Sequence, residues 1–231
     1  MCRMLAYYGR DKDYLKKLAN CLVRASQKDP LSDDIHGDGW GVAALTTNKL
    51  VYYRSHLPIF EDKDNLESII DSLDGEVKVI IHARQASDKN LVSVYYSHPY
   101  LESNHERLLF LAHNGSVDKY KLGEMIGIDP TLMVDSELVA KYLSIYGIKE
   151  VDKLRDVTQS ALNLLLLEIN RKDRSSHLFY YNYYRKDKIR RKEDYYKLYL
   201  HNGAVYSSSL AYTGCEKGEE VELGKLLVLN G

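Results

Sequence analysis

The chain has 231 residues, enough to bury one sizeable core, and its 45% hydrophobic and 28% charged residues are those of an ordinary globular domain. A formal charge of −1 supplies no field for general attraction to nucleic acid or to a membrane surface, and no run approaches the ~18 apolar residues of a membrane span. The three cysteines, Cys2, Cys21 and Cys215, show no paired spacing. They predict no disulfide framework and no cysteine-rich metal site, and they fit a reducing, cytoplasmic setting.

In chain order, residues 4–8 read as a strand ended by Gly9, followed by a helix carrying Leu15, Leu18, Ala19, Leu22 and Val23 at helical spacing. Cys21 lies off that apolar stripe and reads as structural or partly exposed. Residues 41–45 and 49–55 form a predicted hairpin across Thr46-Thr47-Asn48, and a second helix places Leu66, Ile69, Ile70 and Leu73 on one face. Residues 77–81 and 108–112 are short apolar runs, the pattern of buried strands whose ends present site residues. Beyond Asp135 a helix runs through Leu138, Val139, Tyr142 and Leu143, and residues 151–160 predict another. The remainder reads as strands over 162–170, 177–184, 195–201 and 204–209, with Asn202-Gly203 as a two-residue hairpin turn. Two antiparallel sheets with helices outside, in a single domain over residues 1–231, is the economical assembly. The basic stretch Arg185, Lys186, Lys188, Arg190, Arg191 and Lys192 reads as a solvated hairpin tip whose charges guard tyrosine-rich strands, or as a surface for another protein.

Cys2 carries the chemical argument. The start does not read as a secretory leader, so Cys2 is expected near the true N-terminus, and removal of Met1 leaves a thiol and a free α-amine on one residue. Their reference pKa values, roughly 8.5 and 7.7–8.0, let both exchange protons near neutrality. Three clusters then join small residues to polar ones: His36-Gly37-Asp38-Gly39-Trp40-Gly41, His82-Ala83-Arg84-Gln85-Ala86-Ser87, and His113-Asn114-Gly115. The glycines fit neither a dinucleotide nor a phosphate loop. An Asn side chain followed by a backbone N–H offers two donors for an oxyanion, and Arg84 offers a bidentate fork for a carboxylate. The histidines show no metal-ligand spacing, so no metal and no cofactor is expected.

Cys2, His82-x-Arg84-x-Ala86-Ser87, Ser97-His98-Pro99-Tyr100, His113-Asn114-Gly115 and Asp135-Ser136-Glu137 occur in the order of the class II glutamine amidotransferases, which are N-terminal-nucleophile hydrolases. With Asp38-Gly39-Trp40-Gly41, the chain resembles the stand-alone branch that includes γ-glutamyl-amide hydrolases. The resemblance implies an α+β fold, a four-layer αββα sandwich of two mostly antiparallel sheets with helices outside. It implies Cys2 as nucleophile with its α-amine as base, forming a thioester from the γ-amide of glutamine or a γ-glutamyl compound and releasing ammonia or an amine, then glutamate. Asn114 and Gly115 become the oxyanion hole, Arg84 and Ser87 the α-carboxylate site, and Asp135 the α-ammonium site. Asp135 also reads as a helix cap. His36, Asp38, Gly39, Trp40, His82, His98 and His113 are expected to shape the pocket. Ser207-Ser208-Ser209 falls where that branch tends to carry a serine-containing segment that closes over the site. Gly231 leaves no room for an ammonia-consuming domain, so the expected partners are a small glutamyl substrate and a separate synthetase or hydrolase subunit, with neither nucleic acid nor membrane. The alternative is a catalytically silent glutamine-binding or regulatory subunit.

Overall fold

The computed structural model describes residues 2–231; Met1, whose removal the amine-as-base reading requires, lies outside them. In chain order the elements are β1 (Arg3–Gly9), α1 (Lys12–Gln27), β2 (Trp40–Leu45), β3 (Leu50–Ser55), α2 (Lys63–Asp71), β4 (Val77–Ala83), β5 (Tyr100–Ser103), β6 (Arg107–Val117), α3 (Lys119–Ile126), α4 (Asp135–Tyr146), β7 (Thr158–Asn170), β8 (Ser176–Tyr181), β9 (Leu198–His201), β10 (Ala204–Ser207), β11 (Glu219–Glu220) and β12 (Leu226–Leu229). They assemble as two antiparallel sheets, one of seven strands ordered β11-β9-β10-β1-β4-β2-β3 and one of five ordered β12-β8-β7-β6-β5.

Period-two alternation builds the layers. In β1, Leu5 and Tyr7 join Leu15, Leu18 and Leu22 of α1 in an outer core, while Met4 and Ala6 turn inward against Phe110, Ala112, Leu165 and Leu167 of the second sheet. Leu109 and Leu111 of β6 and Leu164 and Leu166 of β7 point the other way, onto Leu122 of α3 and Leu138, Val139 and Leu143 of α4. The result is the four-layer αββα sandwich expected from the resemblance. The start of β1 lies beside the later part of β6, which brings Cys2 to Asn114.

Three sequence readings are corrected. Cys21 is buried, 3% exposed, and bonded to Cys215 across 194 residues of chain, with Cα atoms 6.0 Å apart. An odd cysteine count with no local spacing hides a pairing made only when α1 docks against the turn after β10. Residues 151–160 form no α-helix: 3₁₀ turns cover Ile148–Val157 and β7 starts at Thr158. Asp135 is the first residue of α4 and not its cap, which is Val134.

Candidate active site

Cys2 is 7% exposed at the entry to β1. Its backbone N–H donates to Asn114 Oδ1 at 2.8 Å, and its Sγ lies 3.8 Å from the Gln85 carbonyl. Because Oδ1 is committed to Cys2, the Nδ2 end of Asn114 is the end left to donate. The next residue, Gly115, sits opposite Leu162 just before the β6–β7 register shifts, and a Cβ there would overlap the Ala161 carbonyl. Only glycine lets the two backbones meet at this point.

Around Cys2 opens a cleft of about 1110 Å³, lined among others by Arg84, Ser87, Gly115 and Asp135. Arg84 leaves the end of β4 and donates from Nη1 to the Leu91 carbonyl at 3.0 Å and toward the Asp38 carbonyl at 3.5 Å. These bonds orient the guanidinium. Asp38 lies behind the same loop, where its carboxylate accepts from the Ala86 N–H at 2.7 Å and pairs with Lys89. Asp135 uses one carboxylate oxygen for the Val117 N–H at 3.0 Å and the other for the Ser136 N–H at 2.8 Å, tying the α4 start to the strand after Gly115.

Three buried histidines back this floor, and a fourth, His36, is buried apart from them on Asp29. His113 bridges Ser136 Oγ at 2.9 Å and the Ala161 carbonyl at 3.3 Å; His82 Nε2 reaches the His113 carbonyl at 3.2 Å and its ring stacks on His98 with centroids 4.0 Å apart. Burial disfavours their charged forms: His82 is pushed down to about 3, His36 to about 4, and His98 and His113 are also lowered. All four are therefore neutral at pH 7. Of the residues expected to shape the pocket, His98 and His113 line it, and Asp38 and His82 support it from behind. Gly39 joins that support through backbone, its carbonyl accepting from the Arg84 N–H at 2.8 Å. Trp40 does not belong to the pocket: it is fully buried in the outer core against Tyr53, its Nε1 donating to Asp62 at 2.9 Å.

Two features escaped the sequence reading. Arg3, fully buried beside the nucleophile, donates from Nη1 to the Cys2 carbonyl at 3.0 Å, pairs through Nε with Asp29 and stacks 3.7 Å from the Tyr195 ring centroid. Asp29 also takes His36 Nε2 at 2.9 Å and the Ser209 hydroxyl at 2.9 and 3.0 Å. Burial pushes the Asp29 carboxyl up, yet the His36 hydrogen bond and the Arg3 charge win and hold it well below the usual carboxylate range. A cation inside the apolar run of β1 was the available signal, since a buried charge demands a partner. The serine segment closes the same network: Ser207 Oγ accepts from the Met4 N–H at 3.1 Å and Ser208 Oγ donates to the Asp194 carbonyl at 2.6 Å. The second feature is the basic stretch, which is no free hairpin tip: Lys188, Arg190 and Arg191 line the cleft.

Compared with known proteins, this architecture is shared by an enzyme described as the allosteric regulatory enzyme of purine biosynthesis, at 17% identity and a TM-score of 0.64, covering 100% of this chain and 47% of that one. The chain thus spans about half the length of that relative. A glutamine aminotransferase class-II domain protein from Silicibacter pomeroyi matches at 17% identity and a TM-score of 0.51, over 98% of this chain and 94% of that one. No curated protein matches the sequence. Residues 2–180 match the profile of the class-II glutamine amidotransferases, and the chain belongs to that family. Its two-sheet αββα sandwich is the fold of the N-terminal-nucleophile hydrolases.

Proposed function

We propose that the chain cleaves the γ-amide of glutamine or of a γ-glutamyl compound through a thioester on Cys2. The observation that carries this reading is the 2.8 Å hydrogen bond from the Cys2 nitrogen to Asn114 Oδ1 at the floor of a cleft that also holds Arg84 and Asp135. Once Met1 is gone, that nitrogen is an amine. One N–H stays on Asn114 and its lone pair takes the thiol proton. Sγ attacks the γ-carbonyl, whose oxyanion receives Asn114 Nδ2 and the Gly115 N–H; the C–N bond then breaks and the proton passes to the departing amine. Water attacks the thioester, breaks the C–S bond and frees glutamate. Arg84 and Ser87 hold the α-carboxylate and Asp135 the α-ammonium, which fixes the γ-carbonyl at the nucleophile.

A glutamine-mimicking diazoketone tests the reading. Stoichiometric labelling of Cys2, removal of Met1 by mass spectrometry, and loss of glutamate release in Cys2→Ala are expected. An intact N-terminus in active enzyme would overturn the amine as base, and activity retained in Cys2→Ala would overturn the thioester.

A further inference from the structure

The cleft of about 1110 Å³ exceeds the roughly 300–1,000 Å³ that encloses a drug-sized ligand, so a free amino acid fills only part of it. Its walls differ in charge. Arg84 stands at the end of β4, and Asp135 at the start of α4. In the first sheet β4 lies on one side of β1 and β10 on the other. The segment between β8 and β9 enters on the β10 side. There Gln159, Ser160, Lys188, Arg190, Arg191 and Tyr196 line the cleft with no carboxylate among them.

The cations on this wall are not alike. Arg191 is neutralised by Asp34 at 2.6 Å, and outside the cleft Arg185 pairs with Asp187 at 2.8 Å and Lys186 with Glu193 at 2.9 Å. Lys188 and Arg190 make no direct ion pair among the described residues; Asp187, the carboxylate that acts on Lys188, is itself paired with Arg185. The backbone that carries them is held in place: the Arg190 N–H donates to Tyr196 Oη at 3.3 Å, Ile189 packs on the Tyr184, Tyr195 and Tyr196 cluster, and Arg191 stacks 4.9 Å from the Tyr195 ring centroid. Two exposed cations outside any direct ion pair, on a backbone fixed at the cleft, focus their field on whatever enters it.

We propose that Lys188 and Arg190 form an anion subsite for the amine half of the substrate, so that the enzyme prefers γ-glutamyl amides whose nitrogen carries a carboxylate- or phosphate-bearing group. The inference rests on the reaction proposed above. With the glutamyl head at Arg84 and Asp135 and the γ-carbonyl at Cys2, the leaving nitrogen points away from Arg84, toward this wall. The amine that leaves as the C–N bond breaks and an acceptor amine that later attacks the thioester carbon, forming a C–N bond as the C–S bond breaks, use the same face in opposite directions, so the subsite serves an anionic amine in either role.

The test compares γ-glutamyl-β-alanine and γ-glutamylphosphoethanolamine with γ-glutamylethylamide, at low and at 0.5 M salt, in wild type, in Lys188→Glu/Arg190→Glu and in Lys186→Glu. About a tenfold or greater advantage in kcat/KM for the anionic amides is expected, shrinking with salt, lost in the double variant and kept in Lys186→Glu. Equal kcat/KM for anionic and neutral amides, or a preference that survives charge reversal, overturns the subsite. With glutamine as donor, faster glutamyl transfer to β-alanine or phosphoethanolamine than to ethylamine supports the acceptor role, and release of those amines from their amides supports the leaving-group role. Calorimetric affinity of Cys2→Ala protein for the same intact amides reads the subsite without turnover: tighter binding of the anionic amides sustains it even if no amide is cleaved, a result that would sink the reaction instead, and equal binding overturns it.

Discussion

At the scale of single residues, Asn114 has two ends with two tasks. Its Oδ1 receives the Cys2 nitrogen at 2.8 Å, and on the proposed reading Nδ2 meets the developing oxyanion. Asn114→Asp keeps an acceptor for the nitrogen and removes the donor, so kcat is expected to fall by about 10²–10³ with little change in KM, the usual cost of losing one oxyanion donor. Steady-state kinetics of glutamate release check this, and a kcat within threefold of wild type would refute it. The Asn-Gly dipeptide could be singled out from sequence because donor chemistry is a property of residue types, and the structure sets Asn114 against the Cys2 nitrogen. The Arg3–Asp29 pair could not: its members are 26 positions apart, and nothing local couples a strand residue to the loop after α1. Trp40 misled in the opposite sense, since a motif carries its neighbours along whichever side of the strand they face, and Trp40 faces the outer core.

At the scale of elements, the loop after β4 is held by what lies beneath it. Asp38 clamps Ala86 and Lys89, and the Leu91 carbonyl clamps Arg84, so loop and guanidinium move together. Asp38→Ala frees the Ala86 N–H and unseats the loop while touching no reacting atom. KM for glutamine is expected to rise about tenfold with kcat changed less, consistent with roughly 1.4 kcal/mol of binding lost from a charge-assisted hydrogen bond. Equal falls in kcat and kcat/KM with KM unchanged would show that Asp38 acts on the transition state instead. Gly41 of β2 has its explanation here too: a Cβ on it would meet the His98 carbonyl, so the backbone at His98 rests directly on β2. Most long strands and helices were legible from periodicity, but α3, β5, β11 and β12 were not. Helix α3 buries only Leu122 and Gly123 of its eight residues and owes its ends to Asp118 and Gly127, too little apolar face for a periodic signal. Strand β5 is four residues with one buried side chain, held by pairing with β6.

At the scale of the whole molecule, the two sheets meet over a core that keeps its histidines uncharged and its carboxylate charged. That combination fixes the sign of the acid response. His36, His82, His98 and His113 bind protons more weakly folded than unfolded, because burial disfavours the imidazolium. The unfolded chain takes up those protons as pH falls through their ordinary value near 6.5, so stability is complete above that pH and declines below it, toward about 4 for His36 and about 3 for His82. Asp29, held ionised by His36 and Arg3 against its burial, adds a loss in the same direction only below the ordinary carboxylate range. Between pH 6.5 and 5 the slope is set by the histidines, at about 1.4 kcal/mol per pH unit for each one fully excluded from protonation. Urea denaturation at pH 7.5, 6.0 and 5.0 is expected to show a midpoint steady near neutrality and falling steeply by pH 5.0. In His82→Gln the decline becomes shallower, because one of the four proton sinks of the unfolded state is gone. A midpoint unchanged from pH 7.5 to 5.0 would mean that the histidine cluster opens to solvent and charges within the folded state, and the stacked His82–His98 floor of the cleft would have to be abandoned.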